Sequence, residues 1–356
     1  MKLVILNKIS EEKLTEFRNA VPGSVIESYP SPRDALSHVS DADAIAMWGF
    51  QNVQPFLEAS PHVRWIHSLS DGVERLLTKD MLKRSIILTN SHGIHDHAVA
   101  DHTLALLLSL VRCLPVMIRQ QDQKIWKRPK TDSFYQKTVA IIGYGSIGKA
   151  IAQRIKGFNT KILAVKKHIS DDPFTDQVYT ADQIKDVLPK ADITIAALPS
   201  TPETNEFFGK KEFSLMKKTS FFINIARASV VNENALVEAL SEHRIAGAAL
   251  DVFEKEPLPE NHPFWSMENV IISPHSASFT PDSWNHVLEL LKNNFIAFSK
   301  GEKLTNEIKE KPTGIAGGSS YAAQGPILPA ARLRACGLFT CILLFATRKR
   351  VFKIQC

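Results

Sequence analysis

Short apolar runs alternate with amphipathic stretches along the first ninety residues of the chain. The runs Leu3–Leu6, Ala44–Met47, Trp65–Ser68 and Ile86–Thr89 have the length of buried strands. Between them, segments such as Glu11–Asn19 carry apolar residues at helical spacing. This alternation predicts strand–helix units built on a parallel sheet.

A second series of the same kind starts at residue 138 and contains further apolar runs of strand length. These runs lie at 138–142, 161–165, 193–197, 221–225, 246–250 and 270–274. Six buried strands with helices between them are typical of a doubly wound dinucleotide-binding domain. We therefore expect an α/β fold of two Rossmann-like lobes, each a parallel sheet flanked by helices. The cleft between the lobes is the natural ligand site.

Two long helical patterns indicate how the lobes are joined. Val99–Leu114 is apolar, too short to cross a bilayer and interrupted by charged residues, so we interpret it as a buried core or interdomain helix. Asp282–Ser299 could cross back to the first lobe. The expected domains are a discontinuous substrate domain, 1–100 plus 280–310, and a dinucleotide-binding domain, 101–279. A chain of 356 residues with 44% hydrophobic content is large enough for two cores.

The segment 311–356 differs in composition from the rest of the chain. It holds seven of the 43 basic residues and none of the 37 acidic ones, which leaves 36 basic against 37 acidic residues in the body. A body this close to neutral gives no case for nucleic-acid binding. We expect a disordered basic and apolar tail rather than a membrane contact, because its apolar run 336–347 is too short to span a bilayer.

Cysteine usage and the N-terminus indicate the compartment. Cys113 is the only cysteine outside the tail, so no disulfide framework is possible in the body. The N-terminal MKLVILNK is too short for the apolar core of a secretory signal and lacks a small-residue cleavage site. Both observations favour a cytoplasmic protein.

The motif GYGSIG directly follows the run 138–142 and precedes a helical stretch. In this setting Gly143 permits a tight turn, Gly145 lets backbone N–H groups approach a pyrophosphate, and Gly148 lets helix and strand pack closely. Ser146 and Ile147 complete the predicted phosphate-binding turn. The alternative is an ordinary glycine turn, which the strand–turn–helix context disfavours.

The next predicted strand ends at Lys166 and Lys167, where an NAD-binding chain carries an acidic residue for the ribose hydroxyls. An acidic side chain repels a 2′-phosphate, whereas two lysines attract one. We therefore favour NADP(H) as the cofactor and keep NAD(H) open. The competing interpretation is a solvated lysine pair at a strand end.

Several motifs together resemble those of one enzyme family. They are GYGSIG, LPSTPET at 198–204, INIARASVVNENAL at 223–236, AALDVFEKEPLP at 248–259 and SPHSAS at 273–278. On these motifs the chain, over about residues 1–310, resembles the D-2-hydroxyacid dehydrogenases. The resemblance implies two Rossmann-like lobes and hydride transfer between a nicotinamide cofactor and a small 2-oxoacid or D-2-hydroxyacid. Glyoxylate and hydroxypyruvate-like acids are the expected substrates.

The resemblance also implies a role for individual residues. Arg227 would hold the substrate carboxylate and carbonyl oxygen with its planar fork of donors. His275 would protonate the carbonyl oxygen in reduction and remove that proton in oxidation, with Glu256 bonded to its other ring nitrogen. Asp251 would face the nicotinamide carboxamide, and Pro199 would also lie at the cofactor. Each residue alone fits a plain structural role, so their order and spacing carry the prediction.

The substrate carboxylate also needs donors from the first lobe. SLSDGVERLL resembles the family loop whose backbone N–H groups supply them, here those of Asp71, Gly72 and Val73. Asp71 departs from the family, which usually has a small residue there. An acidic side chain beside a bound anion is unfavourable unless it points to solvent. Trp48 and Phe50 could wall the pocket or be core aromatics.

Four histidines, His92, His95, His97 and His102, lie close together in HGIHDHAVADH. We expect no metal site there, because hydride transfer to a nicotinamide needs none and the family carries similar histidines in this loop. The apolar helix Val99–Leu114 resembles the family's dimer-forming crossover, so a homodimer is expected. The rival function is a nucleotide-sensing, corepressor-like interaction protein on the same fold. Oxidation of NADPH and NADH with a panel of 2-oxoacids separates the two.

Overall fold

The computed structural model describes residues 1–73 and 75–308, in which the strands form two parallel sheets. The strands of the first sheet are β1 Lys2–Ile5, β2 Val25–Ser28, β3 Ala44–Met47, β4 Trp65–Ser68 and β5 Ile87–Thr89. They are hydrogen-bonded in the order β2-β1-β3-β4-β5. Every pairing is parallel, so the carboxyl ends of all five strands lie at one edge.

The second sheet begins with the strand that precedes the glycine motif. Its strands are β6 Thr138–Ile142, β7 Lys161–Val165, β8 Gln177–Tyr179, β9 Ile193–Ala196, β10 Phe221–Asn224, β11 Gly247–Leu250 and β12 Val270–Ile272. Their order is β12-β11-β10-β9-β6-β7-β8, again entirely parallel. The strand order reverses beside β6, and in such sheets ligands bind at the carboxyl edge next to this reversal.

Helices connect most of the consecutive strands, as is usual for parallel pairing. They are α1 Glu11–Ala20, α2 Pro32–Leu36, α3 Gln54–Ala59, α4 Lys79–Lys83, α5 Asp96–Val111, α6 Leu114–Asp122, α7 Ser146–Ile155, α8 Ile184–Val187, α9 Lys210–Leu215, α10 Glu233–Ser241 and α11 Pro281–Lys300. Side-chain caps fix the starts of several: the hydroxyl of Thr280, for example, accepts from the backbone N–H of Ser283 at the start of α11. Gly301 ends the same helix in the left-handed conformation.

The long helices pack on different sheets. In α5, Val99 and Leu107 are buried in one core with Ile141 of β6 and Ile151 of α7. In α11, Val287, Leu288, Leu291 and Phe295 are buried with Leu3 and Ile5 of β1. Burying a side chain of this size contributes roughly 1.5–3 kcal/mol, so α11 is held firmly to the first sheet. The domain bounds set out above stay a prediction, and the predicted tail 311–356 lies outside the described residues.

A sharp break separates α5 from α6, with Cys113 in the left-handed conformation between them. Within the part of the chain that the structure describes, no single helix is long and apolar enough to cross a membrane. Only α5 and α6 together meet that requirement, by length and composition alone, and they are bent by 69°.

Every predicted strand is present, with bounds within two residues of the prediction. The strands β3, β4, β6 and β7 have the predicted bounds, and β1, β5 and β9 to β12 differ by one or two residues. Two strands were missed, β2 and β8, so the second sheet has seven strands where six were predicted. Both lie at sheet edges and carry polar residues such as Glu27 and Gln177, so neither forms the continuous apolar run of a doubly buried strand.

Candidate active site

The glycine turn between β6 and α7 has the geometry of a phosphate-binding turn. Gly143 has φ +97°, and a Cβ atom there would lie 2.5 Å from the backbone of Ala197. A Cβ on Gly148 would lie 2.9 Å from the carbonyl oxygen of Gly143, so its absence lets α7 pack closely on the turn. A Cβ on Gly145 would meet nothing within 4 Å. This open space lies where α7 begins, and helix N-termini attract phosphate, so these residues fit a dinucleotide.

The other predicted nucleotide residues lie around the turn. Ser146 begins α7, and its hydroxyl donates to Asp96 at 3.1 Å. Ile147 packs against the core beneath the turn. Pro199 is exposed and comes two residues after Ala197, whose backbone contacts the turn. The structure therefore brings the loop after β9 to the same sheet edge as the glycine motif.

Charged side chains surround the end of β7. Lys166 Nζ lies 5.6 Å from the centre of the Tyr144 ring, and Lys167 is exposed. The Tyr144 hydroxyl donates to Asp172 at 3.0 Å, and Lys149 pairs with the same carboxylate at 3.0 Å. Burial and the neighbouring carboxylate raise the pKa of Tyr144, so its hydroxyl stays protonated. The partly buried Asp172 carboxylate is thus paired with Lys149, which reduces its effect on the two lysines.

His275 and Glu256 meet in space as the sequence predicts. His275 Nδ1 lies 2.8 Å from Glu256 Oε2, and the other carboxylate oxygen accepts the N–H of Phe253 at 3.0 Å. The bond to Glu256 raises the pKa of His275 above its ordinary value, against the opposing effects of burial and of Arg227. Burial alone would raise the pKa of Glu256, but the bonds from His275 and Phe253 outweigh it and lower that pKa. Both side chains are only half-buried, so a ligand can reach the imidazole.

Asp251 has contacts other than the predicted one. Its carboxylate is 2% exposed and accepts the N–H groups of Ser276 and Ala277, each at 3.0 Å. The Ser273 hydroxyl donates to the same carboxylate, and His102 Nε2 lies 2.9 Å from that hydroxyl. These bonds hold the loop on both sides of His275, so Asp251 fixes the position of the loop. The predicted contact with a nicotinamide carboxamide stays a prediction.

Arg227 is close enough to both His275 and Asp71 to affect their pKa values. It stands three residues after β10, and its guanidinium donates to the carbonyl oxygen of Ala226 at 2.8 Å. Its positive charge is close enough to favour the neutral form of His275 and the ionised form of Asp71. The structure therefore brings together Arg227, the acid–base pair and the predicted substrate loop.

The predicted substrate loop carries an ion pair that the sequence motifs did not predict. Asp71 Oδ1 lies 2.8 Å from His92 Nδ1. This bond raises the pKa of His92, and it outweighs the effect of burial on Asp71, whose pKa is lowered. In residues 1–73 and 75–308, no acceptor is paired with the backbone N–H groups of Asp71, Gly72 or Val73. The unusual acid is thus paired with a neighbouring imidazole, and anion binding by these backbone N–H groups stays a prediction.

Aromatic side chains lie next to this loop. Trp48 stacks between Phe50 and Trp284, with ring centres 6.1 and 5.8 Å away. The N–H of Gly49 donates to Ser70 Oγ at 3.1 Å, which ties the end of β3 to the loop. Phe50 is 63% exposed, so it is not a core residue. That Trp48 contacts substrate stays a prediction.

The clustered histidines do not converge on one point. His92 pairs with Asp71, whereas a ring nitrogen of His97 lies 3.3 Å from Arg154. His95 is buried, and neither of its ring nitrogens meets a partner at hydrogen-bonding geometry. Within the ranges that the structure describes, no group of three or more His, Cys, Asp or Glu side chains is placed to hold a metal ion.

Similarity to known proteins decides the family. The family model for the D-isomer specific 2-hydroxyacid dehydrogenase, NAD binding domain, matches residues 104–277. The chain is 35% identical over 282 residues to the glyoxylate reductase of Pyrococcus furiosus, covering 76% of this chain and 84% of that protein. The chain belongs to the D-isomer-specific 2-hydroxyacid dehydrogenase family. A glyoxylate reductase of Thermofilum pendens is 34% identical over 323 residues, which cover 85% of this dehydrogenase and 92% of that relative.

Solved structures agree with this assignment. A D-isomer specific 2-hydroxyacid dehydrogenase family protein from Aeromonas salmonicida matches with a TM-score of 0.78 and 30% identity, over 86% of this chain and 98% of that one. An NADPH-dependent glyoxylate/hydroxypyruvate reductase from Sinorhizobium meliloti, in complex with NADP and malonate, matches with a TM-score of 0.74 and 26% identity, over 87% and 97%. These matches confirm the predicted fold class. The dehydrogenase is an NAD(P)-dependent oxidoreductase.

Proposed function

We propose that this dehydrogenase uses NADPH to reduce a small 2-oxoacid, such as glyoxylate or hydroxypyruvate, to the D-2-hydroxyacid. The observation that carries the proposal is the 2.8 Å contact between His275 Nδ1 and Glu256 Oε2 beside Arg227. These groups follow the carboxyl ends of strands in the same parallel sheet as the glycine turn, so they share its ligand-binding edge. The glyoxylate reductase relatives support the substrate class.

Proton transfer is the task of the histidine pair. A nicotinamide dinucleotide whose pyrophosphate is held at the glycine turn would supply the hydride for reduction or accept it in oxidation. Because Nδ1 of His275 is engaged by Glu256, Nε2 is the ring nitrogen that gives a proton to the substrate oxygen or removes one. The raised pKa of His275 favours the protonated form, which is the form that reduction requires.

Arg227 binds and orients the acid in this proposal. Its planar guanidinium can hold a carboxylate through two parallel hydrogen bonds. The backbone N–H groups of Asp71, Gly72 and Val73 complete the anion site from the opposite side, where no protein acceptor is paired with them in the described residues. The negative charge of Asp71 opposes that binding less, because the Asp71 carboxylate is paired with His92.

NADP(H) is the proposed cofactor, held by the glycine turn and by Lys166 and Lys167. The relative from Sinorhizobium meliloti is described as NADPH-dependent, which supports this preference. In this chain the two lysines directly follow β7, and the nearby Asp172 carboxylate is already paired with Lys149. A 2′-phosphate would therefore meet positive charge without a competing anion from Asp172.

The cofactor preference is tested with Lys166→Asp. Removing a cation and adding an anion beside the 2′-phosphate should lower the NADPH-to-NADH ratio of kcat/KM by about tenfold or more, by charge-pair energies of about 1–2 kcal/mol. Lys185, exposed on α8, gives a matched control as Lys185→Asp, which should leave the ratio unchanged. Faster use of NADH by the unaltered protein would contradict the preference.

A homodimer is also part of the proposal, and the surface of α6 supports it. No residue of α6 is buried, although Leu114 and Ile118 are apolar and 42% and 53% exposed. Ile125 and Trp126, just beyond the helix, are exposed as well. Apolar surface of this extent is typical of a protein interface, so light scattering should give twice the chain mass. The cytoplasmic location stays a prediction from cysteine usage.

The activity itself is tested by following NADPH and NADH absorbance with a panel of 2-oxoacids. The protein should reduce glyoxylate or hydroxypyruvate, and His275→Ala should lower kcat/KM by roughly 10²–10⁴-fold, the usual contribution of general acid–base catalysis. His62, exposed in the turn before β4, serves as the control, and His62→Ala should keep full activity. Absence of turnover with every acid and both cofactors would contradict the proposal.

A further inference from the structure

Glu233 connects α10 to the loop after β11, residues 251–262, which we call the β11 loop. Glu233 Oε1 lies 3.0 Å from His262 Nε2, and Glu233 Oε2 accepts the backbone N–H of Glu254 at 3.2 Å. Although Glu233 is the first residue of α10, the side chain of Asn232 already caps that helix. Both carboxylate oxygens of Glu233 therefore bind the β11 loop.

The two ring nitrogens of His262 have opposite roles. Nδ1 accepts the backbone N–H of Phe264 at 3.3 Å, so this nitrogen carries no proton. Nε2 then carries the proton and donates it to Glu233. The side chains of His262 and Glu233 are only 16% and 18% exposed. A hydrogen bond to a carboxylate is stronger than one between neutral groups, so this contact fixes the far end of the β11 loop.

The bond from Glu254 lies next to the bond that orients Glu256. The N–H groups of Phe253 and Glu254 follow one another along the backbone. The first donates to Glu256 Oε1 at 3.0 Å, and the second donates to Glu233. The other carboxylate oxygen of Glu256 contacts His275. A displacement of the backbone at Glu254 would therefore move the donor that orients Glu256.

Three carboxylates lie close together at this point. Partial burial, together with the carboxylates of Glu233 and Glu206, raises the pKa of Glu254. The side-chain amide of Asn232 donates to Glu206 at 3.1 Å. Because like charges repel, Glu233 needs its own donors to stay at the β11 loop. Those donors are the ring of His262 and the backbone N–H of Glu254.

We propose that Glu233 and His262 are positioning residues, which hold the β11 loop so that Glu256 keeps its contact with His275. The inference rests on the proposed function, in which that contact favours the protonated acid–base histidine. The effect of both residues on the reaction passes through Glu256. Their loss should lower kcat more than it raises KM, because the anion site at Arg227 keeps its groups.

The first test is Glu233→Gln. A side-chain amide has one acceptor oxygen, so one of the two donors loses its partner. We expect kcat for 2-oxoacid reduction to fall by roughly tenfold, within the 10²-fold that a misplacement of about 1 Å can cause. Activity should also be lost at lower pH, because His275 is protonated less strongly. The matched control is Glu238→Gln on the same helix, which pairs with Lys210 and Arg244 and should change neither property.

The second test uses the histidine of the pair. His262→Gln places an N–H donor near the position of Nε2 and should keep most of the wild-type kcat. His262→Ala removes the donor and should reproduce the kcat and the pH profile of Glu233→Gln. Equal losses in the two His262 variants would overturn its role as a donor and assign it to packing.

A double variant shows whether Glu233 acts through Glu256. Glu233→Gln combined with Glu256→Gln should be no slower than Glu256→Gln alone, because the contact that Glu233 holds is already lost. A further tenfold loss in the double variant would overturn the inference. A wild-type kcat and pH profile in folded Glu233→Gln would also overturn it. If Glu233→Gln does not fold, Glu233→Asp, which keeps the charge but reaches less far, carries the same comparison.

NMR titration of His275 separates this inference from the proposed function, because it needs no substrate. His275 should titrate at lower pH in Glu233→Gln than in wild type, and at the wild-type pH in Glu238→Gln. If wild type reduces no 2-oxoacid but the titration shifts in this way, the function fails and the positioning of Glu256 stands. If wild type is active and the titration of Glu233→Gln is unchanged, the inference alone fails.

Discussion

Two segments near the candidate site carry histidines in different surroundings. In the loop after β12, His275 is half-exposed, paired with Glu256, and its pKa is raised. In the segment before α5, His95 is buried, and burial lowers its pKa against the attraction of nearby carboxylates. The charged form of the imidazole is thus favoured in one loop and disfavoured in the other. A carboxylate partner and burial, not residue type, decide the difference.

His92 shows why a carboxylate partner and the degree of burial both matter for the pKa of a histidine. It is as exposed as His275 and is also paired with a carboxylate, Asp71, so its pKa is raised. Yet its partner faces a predicted anion site and not a reacting oxygen. In the proposed function, His92 therefore adjusts the charge of the site, whereas His275 exchanges a proton with the substrate.

The largest expected effect comes from removing the carboxylate that distinguishes His275. Glu256→Gln should lower kcat/KM for reduction by roughly 10²-fold at neutral pH, within the usual range for acid–base groups. The raised pKa keeps the histidine protonated below its folded value, so reductive activity is lost as the pH rises through that value. In the variant this loss should begin at lower pH. A pH profile of kcat/KM measures both effects.

Glu254 provides the control for that experiment. Glu254→Gln changes an exposed carboxylate two residues away and should leave the pH profile in place. If Glu256→Gln changed the rate but not the pH at which activity is lost, the carboxylate would not act through the histidine.

A smaller effect is expected from the residue that holds the catalytic loop. Asp251→Asn keeps the shape of the side chain but replaces one acceptor oxygen with a donor facing the loop backbone. The loop also places His275 at φ +50°, a conformation that side chains other than glycine rarely adopt. The variant should lose about 1–3 kcal/mol of unfolding free energy in urea titrations, the cost of an unsatisfied buried group.

The pH dependence of that stability gives a further check. Burial opposes ionisation of Asp251, but the bonds from His102, Ser273 and the loop N–H groups outweigh it and lower its pKa. This contribution to stability is present above the ordinary pKa of the carboxyl and is lost as the pH falls through the lower folded value. The difference in stability between wild type and Asp251→Asn should therefore shrink in acid. A difference that stays constant would show that packing, not charge, is lost.

The smallest effect is expected at the Asp71–His92 pair. His92→Asn leaves Asp71 uncompensated beside the substrate carboxylate, so KM for the 2-oxoacid should rise about fivefold, the equivalent of about 1 kcal/mol for an exposed charge pair. Asp71→Asn together with His92→Asn should restore the original KM. In wild type, KM should rise as the pH passes the raised pKa of His92. If the double variant binds no better than the single one, the pair does not compensate charge.

Sequence patterns predicted the fold where local composition and structure coincide. The five-residue runs of β6 and β7 are followed by Gly143 and Lys166, and both strands end directly before these residues. The edge strand β8 was missed because its residues, Gln177 to Tyr179, are only partly buried and form no such run. Its position depends on pairing with β7, which is a tertiary contact.

The candidate site also contains residues that the sequence predicted and contacts that only the structure reveals. The sequence predicted Arg227, Glu256 and His275 because they lie in motifs that occur in the same order as in one family. The structure brings these residues together. The bond between His102 and Ser273 joins residues 171 positions apart, and the burial of His95 depends on two loops meeting. Such contacts follow from packing between distant segments, so no local sequence pattern predicts them.

The central claim is that Glu256 makes His275 the proton donor by raising its pKa. NMR titration of histidine-labelled protein, with His275 assigned by its absence in His275→Gln, measures that pKa directly. The account predicts that His275 titrates above the ordinary value of about 6.5 in wild type and at lower pH in Glu256→Gln. Titration of wild-type His275 at or below the ordinary value, or no change in the variant, would contradict it.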